Sequence, residues 1–274
     1  MIYRLLILST VLGCNADEPA PEAPTPTPAP EAATPEPAPS GELIVVPLTP
    51  EAQAFADLAG LGTEGLPPMV SGRLTMRDHV GLTTNPTVTS QVEKIDRGSL
   101  PWRIETRVTL TDDGKEPSVT RQLYTLDSTG LTLTHALSVV GERQVDHRML
   151  PPSPAPGTTW TFEDATPVKP NSVSCSLQAE AGWCADGVVA ECLAHPKGLG
   201  RAANWTRRHY CPGLGLVGME DVTIRGCQAV TWTWSHDMKV GEQAVPEPDM
   251  AARVFPAVTV PRCDEPIELA LPSP

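Results

Sequence analysis

Residues 102–127 read WRIETRVTLTDDGKEPSVTRQLYTLD, and this stretch determines the predicted architecture. From Trp102 to Leu110, apolar side chains such as Ile104 largely alternate with charged ones such as Arg103. Alternate residues of a strand project from opposite faces, so this pattern predicts a sheet with one face in water. Asp113-Gly114 then provides a turn, and Val119–Leu126 is predicted to return as the neighbouring antiparallel strand.

The same alternation recurs along most of the chain. Thr49 and Pro50 are predicted to cap one short helix, Glu51–Leu58, which Gly60 ends. Further strands are predicted at Leu43–Val46, Leu131–Leu137, Arg143–Leu150, Thr158–Glu163, Gly187–Leu193, Asn204–Tyr210, Leu214–Ile224 and Gln228–His236. Helical patterns are too few for β-α-β units. The predicted fold class is therefore mainly β, with a curved antiparallel sheet or half-barrel, one short N-terminal helix and disulfide staples.

Composition and charge exclude several classes of protein. The chain has 274 residues, of which 40% are hydrophobic and 19% charged, with a net charge of −13. These values exclude collagen, a coiled coil and a multi-span membrane protein, and the chain is too apolar for complete disorder. Nucleic-acid binding depends on clustered Lys and Arg, so the acidic balance predicts no nucleic-acid partner.

The N-terminus has the layout of a secretion signal. A short basic head, residues 1–4, precedes the apolar run Leu5–Leu12, which is too short for the roughly 20 residues that cross a bilayer. Val11-Leu-Gly-Cys14 resembles the lipobox of bacterial lipoproteins. The resemblance implies a signal peptide over 1–13, lipidation of Cys14 with palmitate-type chains, and a location in the cell envelope on the periplasmic or outer-surface side. The alternative is a buried N-terminal strand with an ordinary cysteine.

Residues 15–42 are predicted to form a tether. They contain nine prolines, six acidic residues and no basic residue. With no apolar face to bury, such a segment remains disordered, and its prolines favour extended polyproline II. Its reach is roughly 85 Å at 3.1 Å per residue. The predicted organisation is thus a lipidated Cys14 and tether over 14–42, followed by a single β domain over 43–274 with a cysteine-rich half and a mostly irregular C-terminal tail.

Six cysteines fall in the second half of the predicted domain. They are Cys175, Cys184, Cys192, Cys211, Cys227 and Cys263. In an exported chain this even number predicts up to three disulfides, with 15 ways of pairing them. The alternative is a zinc set made of Cys192, His195, His209 and Cys211. Disulfides are favoured, so no metal or other cofactor is expected.

Four side chains form a candidate ligand surface. His135 is predicted to share a face with Leu131, Leu133 and Leu137, while Trp232 and Trp234 share another strand face with His236. Trp160 is the fourth member.

Acid–histidine neighbours occur at Asp78-His79, Asp146-His147 and His236-Asp237. Adjacent strand residues point to opposite faces, so none of these pairs is predicted to form a hydrogen-bonded dyad by itself. No catalytic residue is assigned.

The later half resembles a pattern found in uncharacterised bacterial envelope lipoproteins. Gly157-Thr-Thr-Trp160 starts a strand, and Tyr210-Cys-Pro-Gly-Leu-Gly-Leu-Val217 makes an aromatic-x-P-G-x-G-L-V turn. The resemblance implies an envelope fold of one sheet or a half-barrel, without catalytic residues. We therefore expect a lipid-anchored envelope protein with a non-catalytic binding or scaffolding role toward a lipid, a small apolar ligand or a protein. The alternatives are an exported hydrolase that uses a histidine such as His135 and a zinc-stabilised binding domain.

Overall fold

A computed structural model describes residues 45–62, 65–138, 141–164, 171–179, 182–195, 203–225, 229–249, 253, 255–259 and 268–270. These residues form one helix and sixteen strands. In chain order the elements are α1 (Pro50–Leu58), β1 (Val70–Asp78), β2 (Thr83–Thr84), β3 (Thr87–Asp96), β4 (Trp102–Thr111), β5 (Ser118–Asp127), β6 (Gly130–Ser138), β7 (Gly141–Leu150), β8 (Thr159–Asp164), β9 (Asn171–Ala179), β10 (Val188–His195), β11 (Ala203–Cys211), β12 (Gly215–Arg225), β13 (Ala229–Val240), β14 (Gln243–Ala244), β15 (Ala257–Thr259) and β16 (Glu268–Ala270).

One antiparallel sheet contains twelve strands in the order β7-β6-β5-β4-β3-β1-β13-β12-β11-β10-β9-β8, with β2 beside β1 and β14 beside β13. Most neighbours in this order are also neighbours in sequence, as in a meander. The exception is β1, which pairs with β3 at Val70↔Ser90 and with β13 at Val70↔Val240. Strand β1 therefore joins the N-terminal meander to the C-terminal one.

The sheet curls until its two edge strands, β7 and β8, approach each other. The indole Nε1 of Trp160 on β8 donates a hydrogen bond to the carbonyl oxygen of Arg148 on β7 over 2.9 Å. Beside it, the rings of His147 and Phe162 lie 5.4 Å apart. The sheet is thus nearly closed and barrel-like, which confirms the predicted mainly β, curved antiparallel fold.

Helix α1 fills one end of the interior. The Oγ1 of Thr49 accepts a hydrogen bond from the backbone N of Ala52 over 3.3 Å, and Pro50 occupies the first turn, as predicted for this cap. Phe55 is 0% exposed. It packs in one cluster with residues from opposite parts of the sheet, among them Leu126 and Leu177. This end of the interior is therefore filled by side chains.

Disulfides hold the C-terminal meander, as predicted for the fold. Cys175 on β9 is bonded to Cys192 on β10, and the two residues are direct partners in the strand register. Cys184, in the segment before β10, is bonded to Cys211 at the end of β11. Cys14, Cys227 and Cys263 lie outside the described residues, as does the 15–42 segment.

Several predicted details are wrong. Residues 45 and 46 do not form a strand, although Val46 is hydrogen-bonded through its N to Arg97 O over 2.9 Å. Strands β1, β3 and β9 were not among the predicted strands. The C-terminal tail contains the paired strands β15 and β16. Among the described residues, no helix has the length and apolar character needed to cross a membrane.

Candidate functional site

The outward side of β1 and β13 gathers polar, cationic and aromatic side chains. The register pairs Arg73 with His236, Thr75 with Trp234, and Arg77 with Trp232. Paired residues project to the same side of a sheet, so these six side chains share one surface, called here the β1–β13 face. The intervening residues of β1, Leu74 and Met76, are 3% and 5% exposed and point into the interior.

A chain of hydrogen bonds runs across this face. The His236 Nδ1 lies 3.1 Å from Asp237 Oδ2, and its Nε2 lies 3.0 Å from Thr75 Oγ1. The Thr75 hydroxyl donates its proton to Asn85 Oδ1 over 2.7 Å. Acid, imidazole and hydroxyl thus follow one another in the order that nucleophilic catalysis uses. Thr75 is only 9% exposed. Its hydrogen bond with His236 also joins β1 to β13.

The Asp237–His236 contact corrects the prediction that adjacent strand residues cannot form such a pair. Between the pairs Ser71↔Lys239 and Arg73↔His236, β13 contains one more residue than β1, which is a β-bulge. Asp237 adopts a positive φ of 53° there. This left-handed backbone breaks the alternation of side chains, so the carboxylate can reach the ring of its own neighbour.

Two guanidinium groups on the face have no acidic partner among the residues that the structure describes. Arg73 and Arg77 are exposed and make no hydrogen bond or ion pair with any residue of the described part of the chain. They are four positions apart, which corresponds to about 13 Å along a strand. Guanidinium groups bind carboxylate and phosphate groups with two parallel hydrogen bonds. The β1–β13 face can therefore receive a ligand with anionic groups.

Trp232 and Trp234 are half-buried on this face. The Trp234 ring lies 6.0 Å from the ring of Phe255, which also lies 6.1 Å from the Trp205 ring. Trp232 packs against the cluster that contains Trp205. The predicted sharing of one strand face by the two tryptophans and His236 is therefore seen, and Phe255 covers part of the aromatic surface.

His135 lies on a different part of the molecule. The register pairs Leu133 with Tyr124 but His135 with Leu123, so a β-bulge places Leu133 and His135 on opposite faces. The prediction that His135 shares a face with Leu133 is wrong, whereas the regular register from His135 to Leu137 places these two residues on one face, as predicted. The His135 Nε2 is 3.9 Å from Glu142 Oε1 on the exposed side, and its Nδ1 is 3.1 Å from Thr134 Oγ1. No nucleophilic hydroxyl other than that of Thr134 is hydrogen-bonded to it within the described ranges.

Trp160 is 8% exposed and belongs to the core cluster inside the barrel. The four side chains of the predicted ligand surface therefore occupy three separate places, and only Trp232 and Trp234 lie together.

The alternative zinc set is also wrong. Cys192 and Cys211 are both bonded in disulfides, so neither offers a thiolate. His209 instead packs its ring 5.2 Å from that of Trp183. Within the described segments, no group of three His, Cys, Asp or Glu residues is arranged to hold a metal ion.

A shallow cleft lies beside the start of α1. Its volume is about 230 Å³, and it is lined by Leu48, Thr49, Ala52, Leu100, Pro101, Asp127 and Ser128. Pockets for drug-sized ligands are usually about 300–1,000 Å³ and deeply enclosed. The cleft is smaller than these, so it is a weaker candidate for a binding site than the β1–β13 face.

Fold and site together define a class of protein: a nearly closed, antiparallel β-sheet domain, stapled by disulfides, with a cationic and aromatic outward face. No known family profile and no curated protein matches the chain. A solved structure described as "a putative lipoprotein from Parabacteroides distasonis ATCC 8503" is similar over 63% of this chain and 95% of that chain, with 10% identity and a TM-score of 0.30. A likeness at this level carries no conclusion about function.

Proposed function

We propose that this protein is a lipid-anchored bacterial envelope protein with a non-catalytic binding or scaffolding role, and that the β1–β13 face binds an anionic partner. The anchor is supported by the lipobox-like Val11–Cys14 and the Pro-rich segment that follows it. The disulfides agree with export, because such bonds persist in oxidising compartments.

The observation that carries the binding role is the pair Arg73 and Arg77. The chain has 33 acidic and 20 basic residues, yet these two exposed guanidiniums have no acidic partner among the described residues. By contrast, Arg207 on β11 and Arg253, which lies outside the strands, each contact two carboxylates. Arginine beside tryptophan is also the combination enriched at interaction surfaces.

Scaffolding is favoured over carriage of an apolar ligand because of how the interior is packed. Phe55, Leu126 and Leu150 are each 0% exposed in the core cluster that α1 joins. An apolar ligand would have to displace these side chains from a close-packed interior, which is costly. Binding at the outward face needs no such rearrangement.

Two measurements test this proposal. Labelling with palmitate, with and without globomycin, checks the anchor. The expected result is a label on the wild type that is absent from Cys14→Ser. Retention of the unlipidated Cys14→Ser chain on isolated envelopes checks the face. Retention should fall in Arg73→Gln/Arg77→Gln and with rising salt. Arg103→Gln, which removes an exposed arginine of β4, is the matched control. Equal retention of all variants would contradict the role of the face.

A hydrolase is a second candidate, favoured by the Asp237–His236–Thr75 chain rather than by His135. In this scheme the Thr75 hydroxyl would turn from Asn85 Oδ1 to His236 Nε2, which would then accept its proton while Asp237 orients the ring. Panels of esters, peptides and glycosides should be run on wild type, His236→Gln, Thr75→Val and the control His135→Gln. Turnover that both site variants lose and the control keeps would replace the binding proposal.

A further inference from the structure

The turn that connects β1 to β2 presents the most exposed large apolar side chains of the described chain. Val80 is 74% exposed and Leu82 is 53% exposed. The turn comprises residues 78–82 and is called here the Asp78 turn. Isolated apolar residues at a surface are common, but here two exposed apolar side chains occur within three residues of one turn.

The Asp78 turn is rigidly built. The Asp78 carboxylate accepts hydrogen bonds from the backbone N of Val80 over 3.0 Å and of Leu82 over 2.8 Å. The backbone N of Asp78 donates to Leu82 O, and the N of Gly81 donates to Asp78 O, each over 3.0 Å. Gly81 supplies a φ of 87°. Because these bonds hold the apolar pair outward, a partner would meet it with little ordering cost.

Arg77, a cationic residue, directly precedes this apolar turn in the sequence. Arg77 precedes Asp78 on β1, is exposed and makes no ion pair with any described residue. Aliphatic side chains in front of a guanidinium match the boundary of a lipid bilayer, where apolar groups enter the acyl region and cations stay at the headgroups. An anionic headgroup adds attraction that falls off within a Debye length of about 8 Å.

We propose that the Asp78 turn docks onto an anionic lipid surface through Val80, Leu82 and Arg77. This inference rests on the proposed function and names the partner for the Arg77 end of the β1–β13 face. Two such side chains bind weakly alone, but the lipid anchor of the proposed function would keep the membrane at high effective concentration. Stable membrane attachment commonly combines two signals of this kind.

The position of Arg73 provides a geometric check. It lies about 13 Å from Arg77 along β1, which exceeds the Debye length at physiological salt. An anionic surface that touches the turn should therefore attract Arg77 more strongly than Arg73. A polymer or protein lying along the whole β1–β13 face would use both arginines equally.

The test uses the full chain with Cys14→Ser, so that no lipid is attached, and vesicles of phosphatidylcholine with or without phosphatidylglycerol. Flotation should recover more protein with the anionic vesicles. Val80→Ser/Leu82→Ser should weaken binding about tenfold, and Arg77→Gln about fivefold, the factor expected for one cation near an anionic surface. Arg73→Gln should change it less than twofold.

Leu137→Ser is the matched control, because it removes an exposed apolar side chain on β6, far along the sheet order from β1. Unchanged thermal unfolding shows that each variant is folded. Flotation that is absent, or indifferent to Val80 and Leu82, overturns the docking inference while palmitate labelling still tests the anchor. Equal loss in Arg73→Gln and Arg77→Gln with no effect of the apolar pair also overturns it.

Discussion

Replacement of Arg253 by Met should destabilise the fold more than any other single change of an arginine on the outward faces. Arg253 Nη1 lies 3.7 Å from Glu220 Oε1, and its Nη2 lies 3.4 Å from Glu247 Oε2. The side chains of Arg253 and Glu220 are 1% and 4% exposed. Burial lowers the pKa of Arg253, and the two carboxylates oppose this shift. The guanidinium is therefore buried only because acidic partners surround it.

The expected loss in the free energy of unfolding depends on the ion pair that Glu220 keeps when Arg253 is replaced. Without Arg253 its remaining cation is Arg207, whose Nη1 is 3.9 Å from Glu220 Oε2 and whose Nε bonds Glu191 over 2.6 Å. Breaking a buried ion pair costs about 3–5 kcal/mol when one partner is left uncompensated. Because Arg207 offers partial compensation, we expect about 3 kcal/mol. At about 2–4 °C per kcal/mol, the midpoint of thermal unfolding should fall by about 6–12 °C.

Urea unfolding of wild type, Arg253→Met, Glu220→Gln and the double variant measures this directly. Met keeps much of the apolar stem of Arg253 but removes the guanidinium, whose carbon lies 5.2 Å from the centre of the Trp183 ring, so the loss reports the interactions of the charged group. The double variant should lose less than the sum of the single losses, since no charge is then left unpaired. A loss below about 1 kcal/mol in Arg253→Met, or strict additivity, would refute the reasoning.

Three further predictions concern the hydrogen bond between the edge strands β7 and β8, the Cys184–Cys211 disulfide, and Tyr124 with Tyr210. Trp160→Phe removes the hydrogen bond that links β8 to β7 and should cost about 1–2 kcal/mol in urea unfolding; an unchanged midpoint would mean that the contact between β7 and β8 does not depend on it. Cys184→Ala/Cys211→Ala opens a loop with a sequence separation of 27 and should cost about 3.5 kcal/mol by loop entropy, provided the variant is compared with the oxidised wild type. Burial raises the pKa of Tyr124 and Tyr210 above the ordinary 10.0, so the stability they contribute is complete below pH 10 and is lost as the pH rises through the raised values. Tyrosinate absorbance should consequently lag behind that of the urea-unfolded chain, and coincident titration curves would contradict this.

The strands that sequence alone predicted best are those whose side chains alternate between strong turn signals. β4 to β7 follow one another as hairpins, and Asp113-Gly114 and Gly130 mark two of the turns between them. Strand β1 has the same alternation, since Leu74 and Met76 alternate with Arg73 and Arg77, although it is not among the predicted strands. The pairing of β1 with β13, in contrast, could not be predicted from the sequence. Thr75 and His236 are 161 residues apart, and no local pattern specifies a contact at that range.

Bulges explain why the candidate site could not be predicted from the sequence. One extra residue in a strand moves every later side chain to the other face, and the stretch around His135 contains no Gly, Pro or Asn to signal it. At Asp237 a weak signal existed, since Asp tolerates positive φ better than most residues. The sequence therefore favoured His135, whereas the hydrogen-bonded histidine of interest is His236.

The outward side of the sheet is covered differently over β11 and β12 than over β1. This difference predicts which arginines stabilise the fold and which bind a partner. Over β11 and β12, Arg253 and Phe255 cover the carboxylate of Glu220 and the ring of Trp205. Over β1, Arg73 and Arg77 stand without an acidic partner among the described residues. Substitution of an exposed arginine that makes no ion pair usually changes the free energy of unfolding by less than about 0.5 kcal/mol. Variants of the β1 arginines should thus lose binding without loss of stability. Variants of Arg253 should lose stability, because the guanidinium of Arg253 stabilises the fold.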